Sequence, residues 1–381
     1  MELDELSSEE VRDYYDELVE RNSFLSELKG EHEDELREDE DAVEVARKEV
    51  NSEIERAKKH DSMLTSTISA FLPGGQIERE TGWVFRGAEP LSEYNESNAD
   101  AIFCNPERNI ALIVECKTSV SSPGSALTQI YDAAEAVRQH REELSDHIDM
   151  EIDQLETAIC VPSYHDEVVA RRIEEEEENG DAEERVYLWR LHYLQETERL
   201  DLFTSFANRT RSEATHDSEL SQVLNSGVEI TKQRQVTPSF YPSSHTFQIM
   251  EAAFGQILKR RITNDGPLRE FSEEELREIL TSQRHLPHYS AETVGNRILG
   301  GLTDRLMSDN LVTEIDSEDA ELTDGSEYYR YRVRGRSIET VLNNLKEKYR
   351  QRALDKKLEL RAIEAALREF DEQQRSFDEF F

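Results

Sequence analysis

Two short apolar runs, residues 99–104 and 110–116, stand on either side of Asn105, Pro106, Glu107, Arg108 and Asn109. Turn-forming residues between two apolar runs predict a β-hairpin. With Asn105 opposite Ile110, antiparallel pairing sets Phe103 against Leu112 and Asp100 against Glu115. Directly opposed residues point to one face, with Cβ atoms roughly 4.5–5.5 Å apart. The hairpin therefore brings two carboxylates together at its open end.

Two such carboxylates repel each other unless a cation lies between them. Strand side chains alternate, so Lys117 shares the face of Glu115 while Cys116 turns away. Two acids and one ammonium at a hairpin end suit a hard divalent cation and a phosphate beside it. The plain alternative is a solvated strand end with a surface ion pair, which contributes little.

Asp100 on one strand, followed by Glu115-Cys116-Lys117 on the next and a helix after them, resembles the PD-(D/E)xK nuclease superfamily. Restriction endonucleases, junction resolvases and RecB-type nucleases belong to it. The resemblance implies a restriction-endonuclease-like α/β core and catalysis by Asp100, Glu115 and Lys117. It also implies Mg²⁺ or Mn²⁺ held by Asp100 and Glu115, and DNA as substrate. The family often supplies a further acid from the first helix, but residues 61–72 contain no Glu. Glu78 or Glu80 on the following segment could take that place, and Glu80 is carried as a third metal ligand. RecB-like members also have a Gln and a Tyr on the helix after the Lys. Gln129 and Tyr131 lie in that region with different spacing. Gln129 is a candidate for holding the nucleic acid strand near the metal, whereas Tyr131 reads equally well as a packing residue.

The chain has 381 residues, long enough for more than one domain. Its 84 acidic residues exceed its 45 basic ones, a formal charge of −39 spread along the whole length. Arg is preferred over Lys. This composition reads as a haloadapted, halophilic surface. Such acidity ordinarily argues against nucleic acid as a partner. In concentrated salt, long-range steering is screened and counterion release is worth little. Binding then rests on local Arg clusters, metal bridging and shape. Cys104, Cys116 and Cys160 form no metal or disulfide pattern and read as small buried hydrophobes in a reducing compartment. No signal peptide or membrane-spanning run is apparent, so a soluble, cytoplasmic protein without membrane partners is expected.

The expected class is α+β and multidomain. Residues 1–60 read as a helical or coiled-coil arm broken near Gly30. Residues 61–205 form the nuclease-like domain, in the order α-β-β-β-α-β-α-β. It begins with a helix over 61–72, followed by a strand over 77–86. Residues 206–243 form a connector with some local structure. Residues 244–336 read as a winged helix–turn–helix, with helices over 244–262, from Ser272 and over 290–310, then two strands. The third helix would read DNA. In the last strand Arg330, Arg332, Arg334 and Arg336 recur at every second position. If the strand continues they share one face that could grip a phosphate backbone. Neutralisation of these Arg residues by neighbouring acids is the competing reading. Residues 337–381 form a long helix and tail, able to pair with the N-terminal helices within one chain or across a homodimer.

The sequence thus points to a Mg-dependent DNA endonuclease, with a role in defence, restriction or repair and a protein partner in a defence complex as further possibilities. The alternatives are a non-catalytic winged-helix DNA-binding regulator with a degenerate nuclease fold, and a coiled-coil scaffold.

Overall fold

A computed structural model describes residues 6–91, 98–120, 122–180, 185–194, 197–203, 217–231, 241, 244–264, 269–281, 300–322, 327–335 and 337–378. Its centre is the predicted hairpin. β2 (Ala101–Asn105) and β3 (Ile110–Cys116) pair antiparallel with Asn105 opposite Ile110 and Phe103 opposite Leu112. Asn109 closes the turn at φ 55°, a left-handed conformation that Asn tolerates.

The hairpin lies in a seven-stranded sheet ordered β1 to β7. β1 (Val84–Ala88) is antiparallel to β2. β3, β4 (Gln154–Pro162) and β5 (Val186–Tyr193) run parallel. β6 (Thr197–Leu202) and β7 (Val228–Thr231) return antiparallel. Parallel neighbours need crossovers. α5 (Pro123–Gln139) and α6 (Arg141–His147) connect β3 to β4, and α7 (Asp166–Asn179) connects β4 to β5. Both sheet faces are covered, which explains why β2 and β3 are apolar at nearly every position. On one face Phe103, Leu112 and Trp189 pack with Met63, Leu64, Ile68 and Phe71. On the other, Ile102, Ile113 and Leu188 pack with Leu127, Ile130 and Val137 of α5 and Val169 and Ile173 of α7.

Several segments depart from the sequence expectations. Residues 76–81 form a helix, α4 (Gln76–Thr81), with buried Ile77 and Thr81 on one side, and Gly82 ends it at φ 75°. Only Val84–Ala88 of the expected strand over 77–86 is extended. The helix expected over 61–72 is the second half of α3 (Glu40–Ala70), which runs unbroken through residue 60. Gly30 interrupts nothing. It lies inside α2 (Phe24–Glu38), and the breaks fall at Asn22 and Asp39. Asp39 accepts from the N–H groups of Asp41 and Ala42, an Asx-type cap that starts the next helix. The 206–243 segment carries α8 (Ser218–Ser226) and β7, which extend the main sheet.

Asp217 fixes that extension. Its carboxylate is fully buried and caps α8 through the N–H groups of Glu219 and Leu220. The same carboxylate accepts from Trp83 Nε1 at 2.6 Å and pairs with Arg108 at 2.9 Å. Asp217→Ala removes the cap, costing about 1 kcal/mol. It also orphans the buried indole N–H, costing about 1–3 kcal/mol more. A fall in the denaturation midpoint of that size, largely restored by Asp217→Asn, is the expected result.

The chain divides into two compact units, one formed by residues 1–55, 307–313 and 331–381, the other by 56–306 and 314–330. In the first, the long helix α12 (Ile338–Asp378) packs on α1 (Ser8–Arg21) and α2. Val11, Tyr15 and Leu25 meet Ile363 and Leu367. Lys29 pairs with Glu359 at 2.6 Å, and His32 Nε2 lies 2.9 Å from Glu369. The apolar stripe of α12 is therefore filled by helices of its own chain.

The second unit contains the main sheet together with α9 (Thr246–Asn264) and α10 (Glu273–Thr281). A second sheet has the order β8 (Glu270–Ser272), β10 (Tyr328–Tyr331), β9 (Val312–Ile315). Phe271 lies 5.1 Å from Phe254 and 5.2 Å from Tyr329, ring centre to ring centre. Ser272 accepts from the Glu275 N–H at the start of α10, the first half of the predicted capping box. Most of the expected third helix, residues 282–299, lies outside the described residues; α11 (Gly300–Ser308) is its final part.

Candidate active site

The β2–β3 register, continued one residue beyond Ala101 and Val114, places Asp100 opposite Glu115. Asp100 Oδ2 accepts the Cys116 N–H at 2.6 Å, which ties the carboxylate to the strand carrying the Glu. Lys117 Nζ lies 2.6 Å from Glu115 Oε1 and donates to Gln129 Oε1, also at 2.6 Å. The structure thus brings Asp100, Glu115, Lys117 and Gln129 together. Tyr131 instead donates to Glu176 and packs α5 against α7.

A fifth group enters from α3. His60 Nε2 lies 3.2 Å from Asp100 Oδ2, and its Nδ1 lies 3.6 Å from Asp61 Oδ1. Asp61 Oδ2 is held by Ser244 Oγ at 2.5 Å and by Gln248 Nε2 at 2.8 Å. Burial alone would lower the His60 pKa. The hydrogen bonds and charges of Asp100 and Asp61 outweigh it and push the value up to about 10. Sequence reasoning missed this pair because it sought a Glu on the first helix. The available signal was His60-Asp61 at the edge of the apolar stretch that packs beneath the hairpin.

Glu115 is 1% exposed. Burial, then the nearby Asp100 charge, push its pKa up to about 8 against the opposing effect of Lys117. Its second oxygen, Oε2, is buried without a hydrogen-bond partner. A hard cation is one group that would satisfy that oxygen. Mg²⁺ commonly uses one or two carboxylates, with waters and substrate phosphate completing its shell. Asp100 and Glu115 fit that requirement. Among the described residues, no group of three or more His, Cys, Asp and Glu side chains is arranged to hold a metal.

Glu80 is not part of this cluster. It lies exposed on α4. The neighbouring Thr81 carbonyl accepts from Asn105 Nδ2 at 2.9 Å, at the turn end of the hairpin. Asp100 lies at the other end of that strand, five residues and about 16 Å away. The misplacement follows from reading 77–86 as one strand.

The expected arginine face is also corrected. β10 ends at Tyr331, because its ladder with β8 spans only Tyr328 to Arg330. Arg330 pairs with buried Glu270 at 2.6 Å and donates to the Asp319 carbonyl. Arg332 donates to Thr313 Oγ1. Arg334 is exposed beyond the strand, and Arg336 lies outside the described residues. For Arg330, neutralisation by a neighbouring acid is what the structure contains.

No family model, curated protein or solved structure matches this chain. No helix among the described residues is long and apolar enough to cross a membrane.

Proposed function

We propose that this chain is a Mg²⁺-dependent nuclease that hydrolyses phosphodiester bonds in DNA, with a restriction-endonuclease-like core. The observation that carries this reading is the opposed pair Asp100 and Glu115, with Lys117 Nζ 2.6 Å from Glu115 and oriented by Gln129.

Asp100 and Glu115 would hold the ion. Bound there, the ion supplies an acidified water and charge neutralisation at the scissile phosphate. Lys117 places a positive charge beside the same carboxylate, where it stabilises charge developing on a phosphate oxygen. Gln129 accepts from the ammonium and fixes its direction. His60, braced by Asp61, holds Asp100 in orientation. Burial of Glu115 keeps bulk water from its carboxylate, which strengthens these interactions. The region built from α9, α10 and the second sheet is read as a winged helix that contacts the substrate duplex.

The test is incubation with plasmid, linear duplex and single-stranded DNA in concentrated KCl. Cleavage with Mg²⁺ or Mn²⁺, absent with chelator and absent in Glu115→Gln, is the expected result. DNA binding without cleavage under every metal condition would replace this reading with that of a non-catalytic DNA-binding protein.

A further inference from the structure

Beside the acid pair, the main sheet ends in an exposed aromatic edge. β3, β4 and β5 are parallel, so their C-terminal ends lie side by side, with Cys116, Cys160 and Trp189 in one row. Lys117 follows directly, its N–H donating to the Cys160 carbonyl at 2.9 Å. Tyr164 lies in the loop after β4, and Tyr193 is the last residue of β5. Tyr164 is 69% exposed and Tyr193 46%. Tyr193 is within electrostatic reach of Tyr164 and of the Cys116 and Cys160 thiols. That places the two rings next to the strand segment that carries Glu115 and Lys117.

Cations adjoin the rings. Arg190, His192 and Arg199 converge on buried Asp201 at 2.7, 3.0 and 3.4 Å. Arg190 also lies 3.5 Å from Asp166. Two guanidiniums and an imidazole thus share two carboxylates, a local cationic density in a chain of formal charge −39. Arg190 is aligned with Val161, which follows Cys160 as Lys117 follows Cys116. Two strand spacings, about 10 Å, therefore separate the Arg190 and Lys117 backbones.

Exposed rings beside cations suit a single nucleic acid strand, whose bases stack on the rings while its phosphates meet the charges. A duplex keeps its base faces inside the stack and offers such rings little. We infer that Tyr164 and Tyr193 form a base-stacking platform that makes single-stranded nucleic acid the polymer presented to Asp100, Glu115 and Lys117. The inference rests on the nuclease reading above and names its substrate class.

The experiment measures fluorescence anisotropy of a labelled oligothymidylate and of a duplex of equal length, with the full chain in chelator. Wild type is expected to bind the single strand about tenfold or more tightly than the duplex. Each Tyr→Ala change, Tyr164→Ala and Tyr193→Ala, lowers that affinity about tenfold, within the range measured for base–aromatic stacking. Tyr164→Phe and Tyr193→Phe retain it, and unchanged thermal melts show that the variants fold. Unchanged single-strand affinity in the double Ala variant, with DNA still cleaved in Mg²⁺, overturns the platform alone. Equal losses in the Phe and Ala variants overturn stacking in favour of the hydroxyls. Absence of any metal-dependent cleavage by wild type overturns the nuclease reading, and the platform's role in it.

Discussion

Lys117→Ala is expected to leave DNA bound and uncut, with kcat lowered about 10²–10³-fold, the loss seen when one preorganised transition-state donor is removed. The ammonium is held at 2.6 Å by both Glu115 and Gln129, so its direction is set before substrate arrives. Its removal deletes a charge that matters most when the phosphate gains negative charge, so KM should change far less than kcat. Gln129→Ala leaves the charge and loosens its aim, and a smaller loss is expected. Single-turnover cleavage at saturating Mg²⁺ separates these cases. A Lys117→Ala enzyme that cuts at the wild-type rate would remove Lys117 from the chemistry. Deleting Lys117 also leaves buried Glu115 without its adjacent cation, so thermal melts of the variant must accompany the kinetics.

The second large effect concerns stability. Phe103→Ala should lower unfolding free energy by about 3–5 kcal/mol, as for a fully buried aromatic. Phe103 is fully buried in β2, with ring centroids 4.2 Å from Phe71, 5.8 Å from Phe85 and 6.0 Å from Trp189. It therefore joins the hairpin to the end of α3 and to β5 in one cluster. Denaturant unfolding in concentrated KCl should show the midpoint falling with little change in slope. A loss below about 1 kcal/mol would mean that the cluster closes around the gap, and that this core is packed more loosely than the structure implies.

The hairpin was legible because its register is set locally, by a turn and two apolar runs with opposed partners. Asp100, Glu115 and Lys117 followed from that register alone. The α5 stripe and the parallel strands β4 and β5 were legible for the same reason, since their apolar patterns match their buried faces. Other features depend on partners distant in sequence. β10 is short because β8 offers only three residues to pair with, so alternation of Arg beyond Tyr331 has no ladder to follow. Residues 76–81 have mixed propensity, and burial of Ile77 and Thr81 on one side decides for helix. His60 meets Asp100 across 40 residues of chain, a contact that no local pattern encodes.

The first unit joins the two ends of the polypeptide: Lys29 pairs with Glu359 across 330 residues. During synthesis the sheet-bearing middle can therefore fold first, while α1 and α2 wait for α12 to leave the ribosome. Until then their apolar stripes lack the partner that covers them, and such surfaces are prone to aggregate. Chains that stop before residue 338 would stay in that state, so premature termination should yield insoluble product even when every strand of the main sheet has been made.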